Sequence, residues 1–73
     1  MDKKELFETI AECDPVGFRN EIMEVQKNME LYGGSFIKAL AKALFHADMK
    51  NAVKIKTTWT DEWELYLNWN KRA

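Results

Sequence analysis

The residues able to do covalent or acid–base chemistry are few and badly spaced for it. Ser35, His46 and Cys13 are the only serine, histidine and cysteine in the 73 residues. On one helix, Ser35 and His46 stand about 16 Å apart at 1.5 Å per residue, beyond the reach of a nucleophile and its base. Cys13 and His46 together fall short of a zinc site unless carboxylates or a second chain contribute. Glu5, Glu8 and Glu12 fall on a lysine-interleaved outer face, whereas a paired acid and base need a cleft to separate their pKa values. Gly33-Gly34-Ser35 can present backbone amides to an anion. It makes a poor phosphate loop, because no lysine follows the serine directly and no strand precedes it. Cys13 is therefore read as a small core residue and Ser35 as a helix cap. The pattern points away from an enzyme, with no catalytic, metal or cofactor residue and no cofactor assigned.

The elements that would position these residues are helices. Pro15 is the only proline and Gly17, Gly33 and Gly34 the only glycines, so punctuation is sparse. Residues 2–13 place Leu6, Phe7, Ile10 and Ala11 on one arc. Asp14 then caps a second helix, about 15–32, with Pro15 at its first position. Along it Phe18, Ile22, Val25, Met29 and Tyr32 step by four, three, four and three, within roughly 80° of the wheel. Gly33-Gly34 is expected to stop this helix in a left-handed conformation. Residues 36–47 are apolar around most of the wheel, interrupted by Lys38, Lys42 and His46, and are expected to form the central helix. Residues 49–57 read as a helix capped by Asp48, although 53–60 also alternates like a β-strand that would need a second molecule to pair with. Thr60 or Asp61 then caps a last helix to about Lys71, with Trp59, Trp63, Tyr66 and Leu67 inward.

The expected architecture is all-α: a single domain over 1–73 with four to five short helices around helix 36–47. A composition 47% hydrophobic and 32% charged is globular, not disordered. One cysteine excludes an internal disulfide. No apolar run approaches the ~18 residues of a membrane span, and the start of the chain lacks a signal-peptide core. A soluble cytoplasmic protein without membrane contact is expected.

The segment Tyr32-Gly33-Gly34-Ser35-Phe36-Ile37-Lys38-Ala39-Leu40-Ala41, with Ala47-Asp48 and then Trp59, Trp63 and Tyr66, resembles a group of small uncharacterised proteins encoded in phage and prophage genomes. The resemblance covers about half the chain, and Thr60 departs from the proline expected beside the aromatic there. It implies a small helical accessory protein of the bacterial cytoplasm and carries over no activity and no catalytic residue.

Charge is segregated beneath a net −1. Residues 1–33 hold eight acids and four bases, and residues 34–58 hold five lysines and Asp48 alone. The two regions either attract one another within the fold or present opposite poles to partners. Lys38, Lys42, His46, Lys50 and Lys54 form the candidate nucleic-acid strip of residues 38–56, with Lys56 at its end. A pI near 5.8 weakens that option. So does the apolar character of the helix that would enter a groove. The favoured reading is a domain that binds another protein, or a second copy of itself. Leu65 and Trp69 lie outside the inward arc of the last helix, beside Glu62, and are expected to form an exposed patch for that partner.

Overall fold

A computed structural model describes residues 2–71. Its helices are α1 (Lys3–Cys13), α2 (Pro15–Tyr32), α3 (Ser35–His46), α4 (Met49–Thr58) and α5 (Thr60–Leu67), followed by a 3₁₀ turn over Trp69–Lys71. The domain is all-α, and residues 53–58 belong to a helix. Val53 and Ala52 are buried with Lys56 one turn on, a helical stripe that outweighs the β-branched alternation.

Aspartates start three of the helices. Asp2, Asp14 and Asp48 accept from the backbone N–H of Glu5, Gly17 and Asn51 at 2.8, 3.0 and 2.8 Å, each satisfying an amide the helix leaves unpaired. The other two starts differ from expectation. Gly34 is the cap residue of α3 and makes no side-chain bond; Ser35 lies one position too late, inside the first turn. Trp59 occupies that position for α5. The Thr60 hydroxyl instead donates backwards to the carbonyls of Lys56 and Thr57, at 2.8 and 3.1 Å, closing the end of α4.

Gly33 is not left-handed, with φ −84° and ψ 158°. A Cβ there would stand 2.6 Å from Ile37 Cβ and 2.7 Å from the Met29 carbonyl oxygen. The glycine is needed for close approach of α3 to α2, not for its φ.

The centre of the bundle is α2. It packs against α1, α3 and α5, whereas α3 packs on α2 and α4. Helix 36–47 therefore has two neighbours, as its apolar character requires, but it flanks the bundle. A domain this small buries only about 60% of its unfolded surface and has too few helices to cover a second apolar face. Leu40, Ala41 and Leu44 face inward, while Phe36 and Phe45 remain exposed. The same shortage applies to α1. Phe7 packs against the core and Ala11 is buried within it, but Leu6 and Ile10 are exposed. Cys13, at the end of that helix, is exposed rather than in the core.

On α2, Phe18, Val25 and Met29 are buried, Ile22 is half-buried, and Tyr32 emerges at the end. Because three helices lie on α2, its inward arc also takes in Asn28, at 0% exposure. Trp63 is wholly buried and its ring stacks on Phe18 at 6.1 Å. The last helix ends at Leu67, four residues before the expected Lys71. Its end folds back, with the Asn68 N–H on the Glu64 carbonyl and the Lys71 N–H on that of Asn68.

Candidate functional site

Three constellations bring polar or exposed apolar groups together. The first is closed. Lys56, in the buried stripe of α4, extends its ammonium to Glu21 Oε2 of α2 at 2.7 Å. The Trp63 Nε1–H donates to that same oxygen, also at 2.7 Å. The ammonium lies 4.4 Å from the centre of the Phe7 ring, with Phe18 and Trp63 at 5.6 and 5.7 Å. A desolvated cation gains from ring faces as well as from its carboxylate. The ammonium and the indole N–H share one carboxylate oxygen, and the cluster joins α1, α2, α4 and α5. One pair of the segregated charges thus attracts within the fold, and Lys56 leaves the surface strip.

The second fixes the C-terminal turn. Asn28 Nδ2 donates to the Tyr66 carbonyl at 2.7 Å and to Glu24 Oε1 at 3.4 Å. Asn70 donates to Asn28 Oδ1 and Glu24 Oε1, each at 3.4 Å. The hydrogen bond from Lys27, whose ammonium is 3.2 Å away, holds the Glu24 carboxyl below the usual carboxylate range, helped by the two asparagines. Trp69 stacks on Tyr66 and on Tyr32, both at 5.1 Å between ring centres.

That geometry corrects the expected Leu65–Trp69 patch. Leu65 is 36% exposed, but Trp69 and Glu62 are half-buried. The cause is the 3₁₀ turn, which bends Trp69 away from the path of α5 and onto α2. The residue that covers it is Tyr32, which the sequence pattern places inward on α2.

The third constellation is open. Between α2 and α3 runs a trough of about 780 Å³ floored by Ile22, Leu44 and Met49. Met23 and Phe45 rise from it, 60% and 67% exposed. Lys38, Lys42 and His46 line its continuation along α3, opposite Gln26 and Glu30. Lys50 and Lys54 are elsewhere, in the groove between α4 and α1, facing Glu8 and Glu12. The candidate strip of residues 38–56 is therefore divided over two grooves, with Glu30 opposite Lys38 and Lys42 in one and Glu8 and Glu12 opposite Lys50 and Lys54 in the other.

Met23 lies outside the inward arc of α2, and that is the signal that marks it; Phe45 belongs to the helix expected to be covered on most sides, and its exposure departs from that expectation. Asn28 and Lys56 carry the opposite signal, a polar residue at a core position of a helical stripe. Among the described residues, no three His, Cys, Asp or Glu side chains come together to hold a metal, and no helix is long and apolar enough to cross a membrane. No protein-family model, curated protein or solved structure matches the chain.

Proposed function

We propose that this chain is a binding domain that associates with protein through the trough between α2 and α3. The observation that carries the reading is the pairing of Met23 and Phe45, both more than half exposed over an apolar floor. Leaving two large apolar side chains in water forgoes about 1.5–3 kcal/mol each relative to full burial. A contiguous exposed apolar surface is a common mark of an interface, and methionine and aromatic side chains are enriched there. A binding role rather than catalysis is supported by the chemistry-bearing side chains themselves. Ser35 and His46 stand at opposite ends of α3, and Cys13 is exposed at the end of α1.

The test compares wild-type protein with the Met23→Glu and Phe45→Glu double variant, immobilised for capture from cell lysate and analysed for self-association by size-exclusion chromatography. The expected result is an associated protein, or a second copy, that wild type retains and the variant loses at unchanged melting temperature. Identical association by both proteins overturns the reading. So does binding of mixed-sequence DNA or RNA that disappears with Lys42→Glu and Lys54→Glu while Met23→Glu and Phe45→Glu leave it intact.

A further inference from the structure

The two walls of the trough carry opposite charges at each of its ends. Helices α2 and α3 are joined by Gly33-Gly34 alone and pack along one another, so the start of α2 lies beside the end of α3. At that end Arg19 on α2 and Asp48, just beyond α3, line the trough together. At the other end Glu30 on α2 and Lys38 on α3 line its continuation. The α2 wall therefore runs from positive to negative over the eleven residues from Arg19 to Glu30, about 16 Å at 1.5 Å per residue. The α3 wall runs from negative to positive in the same direction. All four residues are exposed, and among the described residues none of them makes an ion pair. Asp48 caps α4 through one oxygen and remains an acid of the trough. Lys27 is already held by Glu24 at 3.2 Å.

Apolar groups occupy the middle. Met23 on α2 and Phe45 on α3, each more than half exposed, stand between the charged ends over the floor of Ile22, Leu44 and Met49. A surface of this kind is complementary to itself: turned about an axis along its length, it presents to each charge the opposite one.

We infer that the occupant of the trough is the trough of a second copy of this chain, an inference that rests on the trough being a binding site. A two-fold axis running along it lays α2 of each copy on α3 of the other. Arg19 of one copy then meets Asp48 of the other, and Glu30 meets Lys38. Met23 of each copy lies against Phe45 of the other, a favourable contact of a thioether with a ring. The contact is isologous, so two copies close on themselves as a dimer. The four helices so packed form a bundle in which every neighbour is antiparallel. A net charge of −1 leaves little overall repulsion between copies, and charge near zero favours association.

Charge reversal at one end tests the pairing. In a Glu30→Lys dimer lysine faces lysine at both symmetric contacts, and in a Lys38→Glu dimer glutamate faces glutamate. By sedimentation equilibrium at low salt, wild type should dimerise and each variant alone should do so about tenfold more weakly, because two exposed ion pairs become like-charge contacts. An equimolar mixture of the two should form a heterodimer at least as tight as wild type, since both of its contacts join a lysine to a glutamate. The control is Lys50→Glu, which changes the net charge as Lys38→Glu does but lies in the groove between α1 and α4. Its mixture with Glu30→Lys should stay weaker than wild type. Thermal melts check that each variant is folded, and the Glu30→Lys with Lys38→Glu double variant, which restores both contacts in one chain, should dimerise as wild type does. Wild type that stays monomeric at millimolar concentration overturns the inference. If Phe45→Glu still abolishes capture of another protein, the trough then belongs to a foreign partner and the binding reading stands. A Glu30→Lys and Lys38→Glu mixture no tighter than the control mixture also overturns the inference, because the copies then meet elsewhere. Wild-type association that Phe45→Glu leaves unchanged overturns it as well.

Discussion

Where α1, α2, α4 and α5 meet, Lys56 is 6% exposed and ringed by Phe7, Phe18 and Trp63; between α2 and α3, Phe45 stands 67% exposed. The polar side chain is inside and the apolar one outside. At the first place the lysine has Glu21 for its charge, aromatic faces for its ammonium and room along α4 for its methylenes. At the second place no further helix among the described residues lies over the outer side of α3. Burial follows from which elements surround a position, and residue type only sets what that position costs if its partners are missing.

The largest expected effect attacks the inside of that comparison. Glu21→Gln keeps an acceptor for Trp63 but leaves the Lys56 ammonium without its countercharge. Breaking one side of a buried pair typically costs about 3–5 kcal/mol; the Glu21 side chain retains 24% exposure, so the lower end applies. Adding Lys56→Met should return much of the loss, since apolar replacement of a buried pair is often neutral. Urea melts of both singles and the double measure the coupling. Simple additivity would mean the ion pair does not link these helices.

The next substitution tests the inward side of α3. Leu40→Ala, on the inward side of α3, should cost about 2–5 kcal/mol. That approaches the whole stability of a domain holding about 5 kcal/mol or a little more. A Leu40→Ala melting temperature within a degree or two of wild type would place the core elsewhere.

Trp69→Ala falls between the two regions, since its ring is half-buried against Tyr66 and Tyr32. Two lost stacking contacts at about 0.5–1.5 kcal/mol each predict a drop of about 1–3 kcal/mol. Thermal denaturation checks this, and no change would return Trp69 to the exposed surface that its sequence position suggests.

The smallest effect on stability belongs to the outside. Phe45→Ala should alter the unfolding free energy by less than about 0.5 kcal/mol, as for other exposed positions, while weakening association through the trough. A large loss of stability in a chemical melt would make Phe45 part of the core and remove the contrast with Lys56.

Much of the fold was legible because local rules bear on adjacent residues. Asp14 before Pro15, Asp48 before Met49 and the spacing of Phe18, Val25 and Met29 define helix starts and inward faces through hydrogen bonds and periodicity within a single element. The candidate site was less so. Leu65 and Trp69 were marked as outward by a wheel that assumed α5 continues, whereas the chain turns at Asn68 and carries Trp69 onto α2. Lys38 and Lys54 share a charge but not a strip, because the packing of α4 on α1 puts them in different grooves.

By itself the sequence determined the all-α character, the caps of α2 and α4 and the inward face of the middle of α2, since these depend on interactions a few residues apart. Tertiary structure decided which helix is central and which apolar arcs stay in water. It also paired Glu21 with Lys56, thirty-five positions along the chain. The physical reason is that burial at each of these positions is set by a neighbour distant in sequence, and the periodicity of one helix carries no information about which other helix covers it.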